Sequence, residues 1–334
     1  MLICIFDDRA HCEPALRVLV ASLYRHSPQL AVRLIHPPAS PAFREWLKSY
    51  PNVALHTAGL PTGLGWNIKP LVLMQALDDG HDNVVWVDSD IVVTKDIAPV
   101  FAELNEHELV ITEEALWGEH SDANARRAVG WGFEVGRQLP FTLNTGVVRV
   151  TPHHRDLLEA WLSCLQTDEY RGAQRIALMQ RPTHLIGDQD VLTALLSWRA
   201  HSDIPLRILA RGEGILQIFG LKAFTTAERW QCARRGLPAF VHSQQFKPWL
   251  AKTAFSSGVT GILEAAYLDT SPYTMVARDY RKELTDDHWM RARTPLGKLL
   301  RALGFGYIPA TGLPLGLAFD AIYAVAAWAK RIGR

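Results

Sequence analysis

Little in this sequence is present in excess, and several signals are missing. Its 334 residues include only four cysteines, Cys4, Cys12, Cys164 and Cys232. No two are spaced Cys-x-x-Cys, which excludes a zinc knuckle and a disulfide framework and leaves reduced thiols as the default. Net charge is only +1, so no nucleic-acid partner is expected. Low-complexity runs and internal repeats are absent, and 48% of the residues are apolar, which excludes disorder. No basic segment leading into a long apolar run opens the chain. An unexported protein is therefore expected, cytoplasmic or peripheral on the inner face of the plasma membrane. A Gly-rich, lysine-bearing N-terminal loop of the nucleotidyltransferase kind is also missing.

What is present is alternation. Leu2–Phe6, Ala31–Ile35 and Val53–Leu55 read as strands, separated by helical patterns over Ala15–Tyr24 and Phe43–Tyr50. A Pro/Gly loop (Leu60–Trp66) leads to a helix from Pro70 to Leu77, with proline in its first turn. A strand ending at Asp88 follows, then Leu109–Thr112, a strand over Thr142–Val150 and a helix from Arg155 to Leu165. Such alternation predicts an α/β fold with a mainly parallel sheet flanked by helices. Residues beyond about Pro272 are helical, basic and aromatic in character. The expected division is a catalytic domain over 1–271 and a helical, basic extension over 272–334.

The chemistry centres on Val84-Val-Trp-Val-Asp88-Ser89-Asp90-Ile-Val-Val93. Two carboxylates between apolar runs need compensation, and a divalent cation supplies it. The competing reading is a solvated turn, against which the apolar flanks argue. His242 closes another apolar run and precedes Lys247-Pro-Trp249, which makes it a third candidate ligand. A histidine favours Mn²⁺, with Mg²⁺ as the second candidate. Gly187-Asp188-Gln189-Asp190 precedes an apolar helix. Either aspartate could be an N-cap, but three polar groups in a row suit a polyhydroxyl ligand better. Asn144, in Asn-Thr-Gly, is either turn chemistry or another polar contact.

These four motifs, in this order from Met1 to Trp249, resemble glycosyltransferase family 8, which includes bacterial lipopolysaccharide hexosyltransferases and glycogenin-like enzymes. The resemblance implies a GT-A fold and transfer of glucose or galactose from a UDP-sugar, with retention, to a saccharide or glycolipid acceptor. It implies that Asp88, Asp90 and His242 hold the metal and that Lys247 binds phosphate. Asn144, Asp188, Gln189 and Asp190 would meet the donor sugar, with Asp188 and Gln189 at the reacting centre. Asp7, Asp8 and Arg9 would lie near the nucleoside, and Lys69 and Ser89 would be donor-site positions. One motif departs from the pattern. His242 and Lys247 stand closer than is usual, without the family's intervening glycine, so a rearranged phosphate clamp is expected.

Two rival readings share part of this pattern. A haloacid-dehalogenase-type phosphatase also uses Asp-x-Asp after an apolar strand, but that class places it near the N terminus. A non-catalytic nucleotide-sugar-binding protein would not need intact ligand types. Trp117–Trp131 could contribute to an acceptor pocket or form a surface loop. In the tail, Arg291–Arg334 carries seven basic residues against Asp320 alone. Leu296, Leu299, Leu300 and Leu303 follow helical spacing, and Leu313–Trp328 is strongly apolar. Either a helix packed on the catalytic domain or an interfacial helix on anionic lipid fits this pattern.

Overall fold

The computed structural model describes residues 1–114, 121–218, 224–244, 247–250, 269–284, 288–291, 295–304 and 312–332. The chain forms two compact units. The first comprises residues 1–10, 28–89 and 98–209, and the second 11–27, 90–97 and 210–334.

The first unit is built on a seven-stranded sheet. Its strands are β1 (Leu2–Phe6), β2 (Ala31–Ile35), β3 (Val53–His56), β4 (Val84–Val87), β6 (Leu109–Glu113), β7 (Leu143–Val150) and β8 (Leu206–Leu209). They lie in the order β3-β2-β1-β4-β7-β6-β8. Every ladder is parallel except the two made by β7, so β7 alone runs backwards. β1, β4 and β7 are buried throughout, as strands covered on both faces must be, and β1 and β4 read as continuous apolar runs for that reason. Helices Lys69–Asp78, Arg155–Gln166 and Asp188–Ser197 contribute Val72, Leu73, Trp161, Val191 and Leu195 to the core beside Trp86 and Val148. Between Val110 and Thr112 the β6–β7 register shifts, setting Asn144 opposite Thr112. That irregularity re-aims a polar side chain at the sheet's edge.

The second unit holds a three-stranded sheet in the order β5 (Ile91–Val93), β10 (Phe240–His242), β9 (Ile215–Gln217), all fully buried. The Glu13–His26 helix packs on β5, and the Ser22 hydroxyl accepts the N–H of Val93 at 3.0 Å. Thr225 and Glu228 form a reciprocal cap on the Thr226–Arg235 helix. In the tail, helices run over Pro272–Ala277, Pro295–Ala302 and Leu313–Ile332. The last of these packs on the Thr226–Arg235 helix, and the Asp320 carboxylate accepts from the Thr226 hydroxyl at 2.6 Å and its N–H at 3.1 Å. Among the described residues no helix is long and apolar enough to cross a membrane.

Candidate active site

Ligands of open α/β sheets gather at the strands' carboxyl ends, and the first unit concentrates its buried polar groups there. Asp7 follows β1, Asp88 follows β4 and Glu114 follows β6. Antiparallel β7 starts at the same edge with Leu143 and Asn144, where the Asp188–Ser197 helix also begins. Reversal of one strand thus brings Asn144 and Thr145 to the edge where the carboxylates end.

Asp7 is 2% exposed. Its carboxylate accepts from the Arg9 N–H at 3.0 Å, from the guanidinium at 2.9 and 2.8 Å, and from the Ser89 hydroxyl at 2.6 Å. Burial opposes its ionisation, but Arg9 and Ser89 outweigh burial and hold the carboxyl below the usual range. Asp8 accepts the Gly63 N–H at 2.5 Å, fixing the Pro/Gly loop.

Lys69, 4% exposed, lies 3.1 Å from Asp88 and 3.3 Å from Asp188, and donates to the Thr145 hydroxyl at 2.8 Å. Thr145 in turn donates to Asp188 at 2.7 Å. Burial disfavours the charged ammonium, yet the two carboxylates overcome it and the Lys69 pKa is raised. Asp188 moves the other way from most paired carboxylates. Burial raises its pKa despite Lys69 and Thr145, and the Asp88 charge adds to the rise. Trp86 Nε1 donates to Asp88 at 2.6 Å.

A second knot surrounds Glu114, which is 1% exposed. Its Oε2 accepts from Asn144 Nδ2 at 2.7 Å and from Gln189 Nε2 at 2.8 Å, and Asn144 Nδ2 also reaches Gln189 Oε1 at 2.9 Å. Asn144 Oδ1 accepts the Gly146 N–H at 2.8 Å, so its side chain does serve as turn chemistry while also holding the amide of Gln189. Asp190 pairs with the buried Arg127 at 2.7 Å. Burial pushes its pKa up to about 6, against the pull of Arg127 and with the help of Glu114 and Asp188. Neither aspartate is the helix cap, because Gly187 occupies that position. Both stand in the first turn, where the helix dipole favours negative charge.

Asp88, Ser89 and Asp90 occupy a turn between β4 and β5, so they are not part of one continuous strand. In the second unit, Asp90 Oδ1 faces His242 Nε2 at 3.2 Å, and Lys247 pairs with Asp90 Oδ2. The other ring nitrogen of His242 lies 2.7 Å from Gln217 Oε1. An amide oxygen only accepts, so Nδ1 donates to Gln217 and the ring is held with Nε2 toward Asp90. This donor set, a carboxylate and an imidazole oriented by an outer amide, fits a divalent ion. Burial works against an ionised Asp90, but Lys247 and His242 hold its pKa far below the carboxylate range. Lys247 also donates to the carbonyls of Ser243 and Gln244 at 2.7 and 3.0 Å.

Comparison with known proteins bears on the architecture. The chain matches no protein-family model and no curated protein sequence. Among solved structures it is similar to the WbbM bifunctional glycosyltransferase, with a TM-score of 0.50 and 13% identity. That match covers 75% of this chain and 46% of WbbM, so the chain spans less than half of that protein's length. This is a GT-A fold. Two further structures score lower. The galactosyltransferase LgtC, solved with donor and acceptor sugar analogues, has a TM-score of 0.48 at 14% identity, covering 85% of this chain and all of LgtC. Mouse xyloside xylosyltransferase 1 has a TM-score of 0.45 at 14% identity, covering 73% and 97%.

Four further residues belong to these polar assemblies: Glu114, Thr145, Arg127 and Gln217. Glu114 carries a signal of the same kind as Asp88, an acidic residue just past an apolar run. Gln217 closes the buried run Ile215-Leu-Gln217, and its burial is visible only in the fold. Residues 117–120 of the segment considered for an acceptor lie outside the described residues, as does the side chain of Arg301.

Proposed function

We propose that this chain is a retaining, metal-dependent glycosyltransferase of the family 8 kind, moving glucose or galactose from a UDP-sugar to a saccharide or glycolipid. The observation that carries the reading is the opposed pair of Asp90 and His242, an imidazole already oriented by Gln217. With Asp88, one serine away in the chain, they supply three side chains of metal-ligand type. In this reading they hold Mn²⁺, or Mg²⁺ in its place. When bound, the ion would act as a Lewis acid toward negative charge developing on the departing diphosphate.

The remaining roles fall to the chain's own residues. Asp7, Asp8 and Arg9, with Ser89 tied to Asp7, receive the nucleoside. Lys69 bridges Asp88 and Asp188, and Lys247 serves the phosphates. Asn144, Asp188, Gln189 and Asp190 face the hexose, and Glu114 fixes the Gln189 amide so that its oxygen has one orientation. The bond from the anomeric carbon to the diphosphate breaks while a bond to the acceptor oxygen forms. The acceptor's proton leaves to a diphosphate oxygen, so no carboxylate is obliged to act as base.

The tail reading follows from exposure. Leu317, Val325 and Trp328 are 61–64% exposed on the last helix, and Leu299 on the one before it and Leu303 just past its end exceed 50%. Asp320 ties the last helix to its neighbour, leaving these apolar side chains for an anionic membrane surface on the cytoplasmic side. Deleting residues 295–334 is expected to abolish flotation with vesicles containing anionic lipid. Equal flotation of the shortened chain would contradict that role.

A panel of UDP-sugars tests the function. UDP release is expected with one hexose donor, dependent on Mn²⁺, and reduced about 1000-fold in a folded Asp90→Ala variant. Cleavage of phosphate esters in place of UDP-sugars would overturn the proposal, as would tight UDP binding without sugar release.

A further inference from the structure

At the opposite end of the first unit's sheet, where β4 and β6 begin and β7 ends, a second group of ligating side chains comes together. Glu106 and His107 precede β6, and His153 follows β7. His153 Nε2 lies 3.3 Å from Glu106 Oε1, and His107 Nε2 lies 3.7 Å from the same oxygen. The two rings are 4.2 Å apart, and the three ligand atoms are all within 4.8 Å of one another. A tetrahedral zinc ion about 2.1 Å from each ligand separates its ligand atoms by about 3.4 Å. The observed 3.3 and 3.7 Å straddle that spacing.

Neither turn is loosely held. Arg149, buried on β7, donates to the carbonyls of Asn105 and Glu108 at 2.9 and 2.6 Å. Asn105 Oδ1 accepts the His107 N–H at 2.8 Å. Thr151 donates to the Glu106 carbonyl at 2.5 Å. The buried His154 ring takes the Thr151 N–H on Nδ1 at 3.0 Å and gives its Nε2 proton to the His107 carbonyl at 3.1 Å. Buried groups therefore fix the backbones on both sides of the cluster before any ion arrives. Such support lowers the ordering cost of binding.

We propose that Glu106, His107 and His153 form a surface site for a divalent transition-metal ion of the zinc type, separate from the carboxyl-edge site. Two imidazoles and one carboxylate select Zn²⁺, Ni²⁺ or Cu²⁺ over the oxygen-preferring Mg²⁺ and Ca²⁺. The three side chains are exposed, so water completes the coordination. Lying at the amino edge of the sheet, the ion clamps the turn before β6 to the turn after β7 and takes no part in the chemistry at the other edge.

The test is zinc titration of the full-length, metal-stripped protein by calorimetry, with thermal unfolding measured in parallel. Native protein and an Asp90→Ala variant should both bind Zn²⁺ at this site and unfold at a higher temperature with it. A His107→Ala/His153→Ala variant should fold as native and lose that binding and that shift. Its Mn²⁺-dependent UDP release should stay as in the native protein. Glu106→Gln should weaken zinc binding by about tenfold. Unchanged zinc binding in the double-histidine variant would overturn the site. So would zinc binding that disappears only with Asp90→Ala. Neither result depends on whether the chain transfers sugar.

Discussion

Lys69 and Lys247 each meet aspartate, but their surroundings differ. In the first unit, the buried Lys69 stands between two carboxylates, Asp88 and Asp188, with Thr145 closing the circuit. In the second, Lys247 is 21% exposed and shares Asp90 with the His242 imidazole. The first assembly is closed by its own hydrogen bonds. The second presents a carboxylate and an oriented imidazole, side chains of metal-ligand type.

Breaking the first assembly should cost most. Lys69→Met removes the ammonium that pairs with the buried Asp188, and a loss of about 3–5 kcal/mol is expected in denaturant unfolding. Lys247→Met should cost about 1 kcal/mol, because its site is partly wet. Added Mn²⁺ should restore that stability by taking over Asp90. Equal losses in the two variants would erase the distinction.

Next in size is the Glu114 knot. Glu114→Leu leaves the Asn144 and Gln189 amides without their shared acceptor, and kcat for UDP-sugar turnover should fall about 100-fold. Glu114→Gln keeps an acceptor oxygen and should recover most of it. If both variants fail alike, Glu114 acts through its charge and not by holding the amides.

Asp190 gives an effect of similar size, and a signed one. Its folded pKa, about 6, lies above the ordinary 3.8, so the folded state binds the extra proton. The stability this confers is full below about pH 4 and is lost as pH rises through 6. Asp190→Asn, which still accepts from Arg127, should remove that dependence. The difference between variant and native unfolding energies should change by up to about 3 kcal/mol across the window. A flat difference would mean that Arg127 keeps Asp190 ionised throughout.

Most strands and helices were legible because buried parallel strands are written as apolar runs and surface helices as amphipathic ones. Leu2–Phe6 and Ala31–Ile35 match residue for residue. Strand direction was not legible. Nothing in Leu143–Val150 says that it runs backwards, yet that reversal delivers Asn144 and Thr145 to the polar edge. The site was readable where a charge interrupts an apolar run, as at Asp88, Asp90 and His242. It was opaque where neutral or paired groups do the holding. Thr145 and Gln217 look like ordinary strand residues, and Arg127 gains meaning only across 63 residues from Asp190.

The central claim, that Asp90 and His242 share a divalent cation, is tested most directly by Mn²⁺ binding followed by electron paramagnetic resonance with UDP present. Native protein should hold one Mn²⁺ at this site, and His242→Ala should bind it at least about tenfold more weakly. Native affinity in that variant would contradict the account.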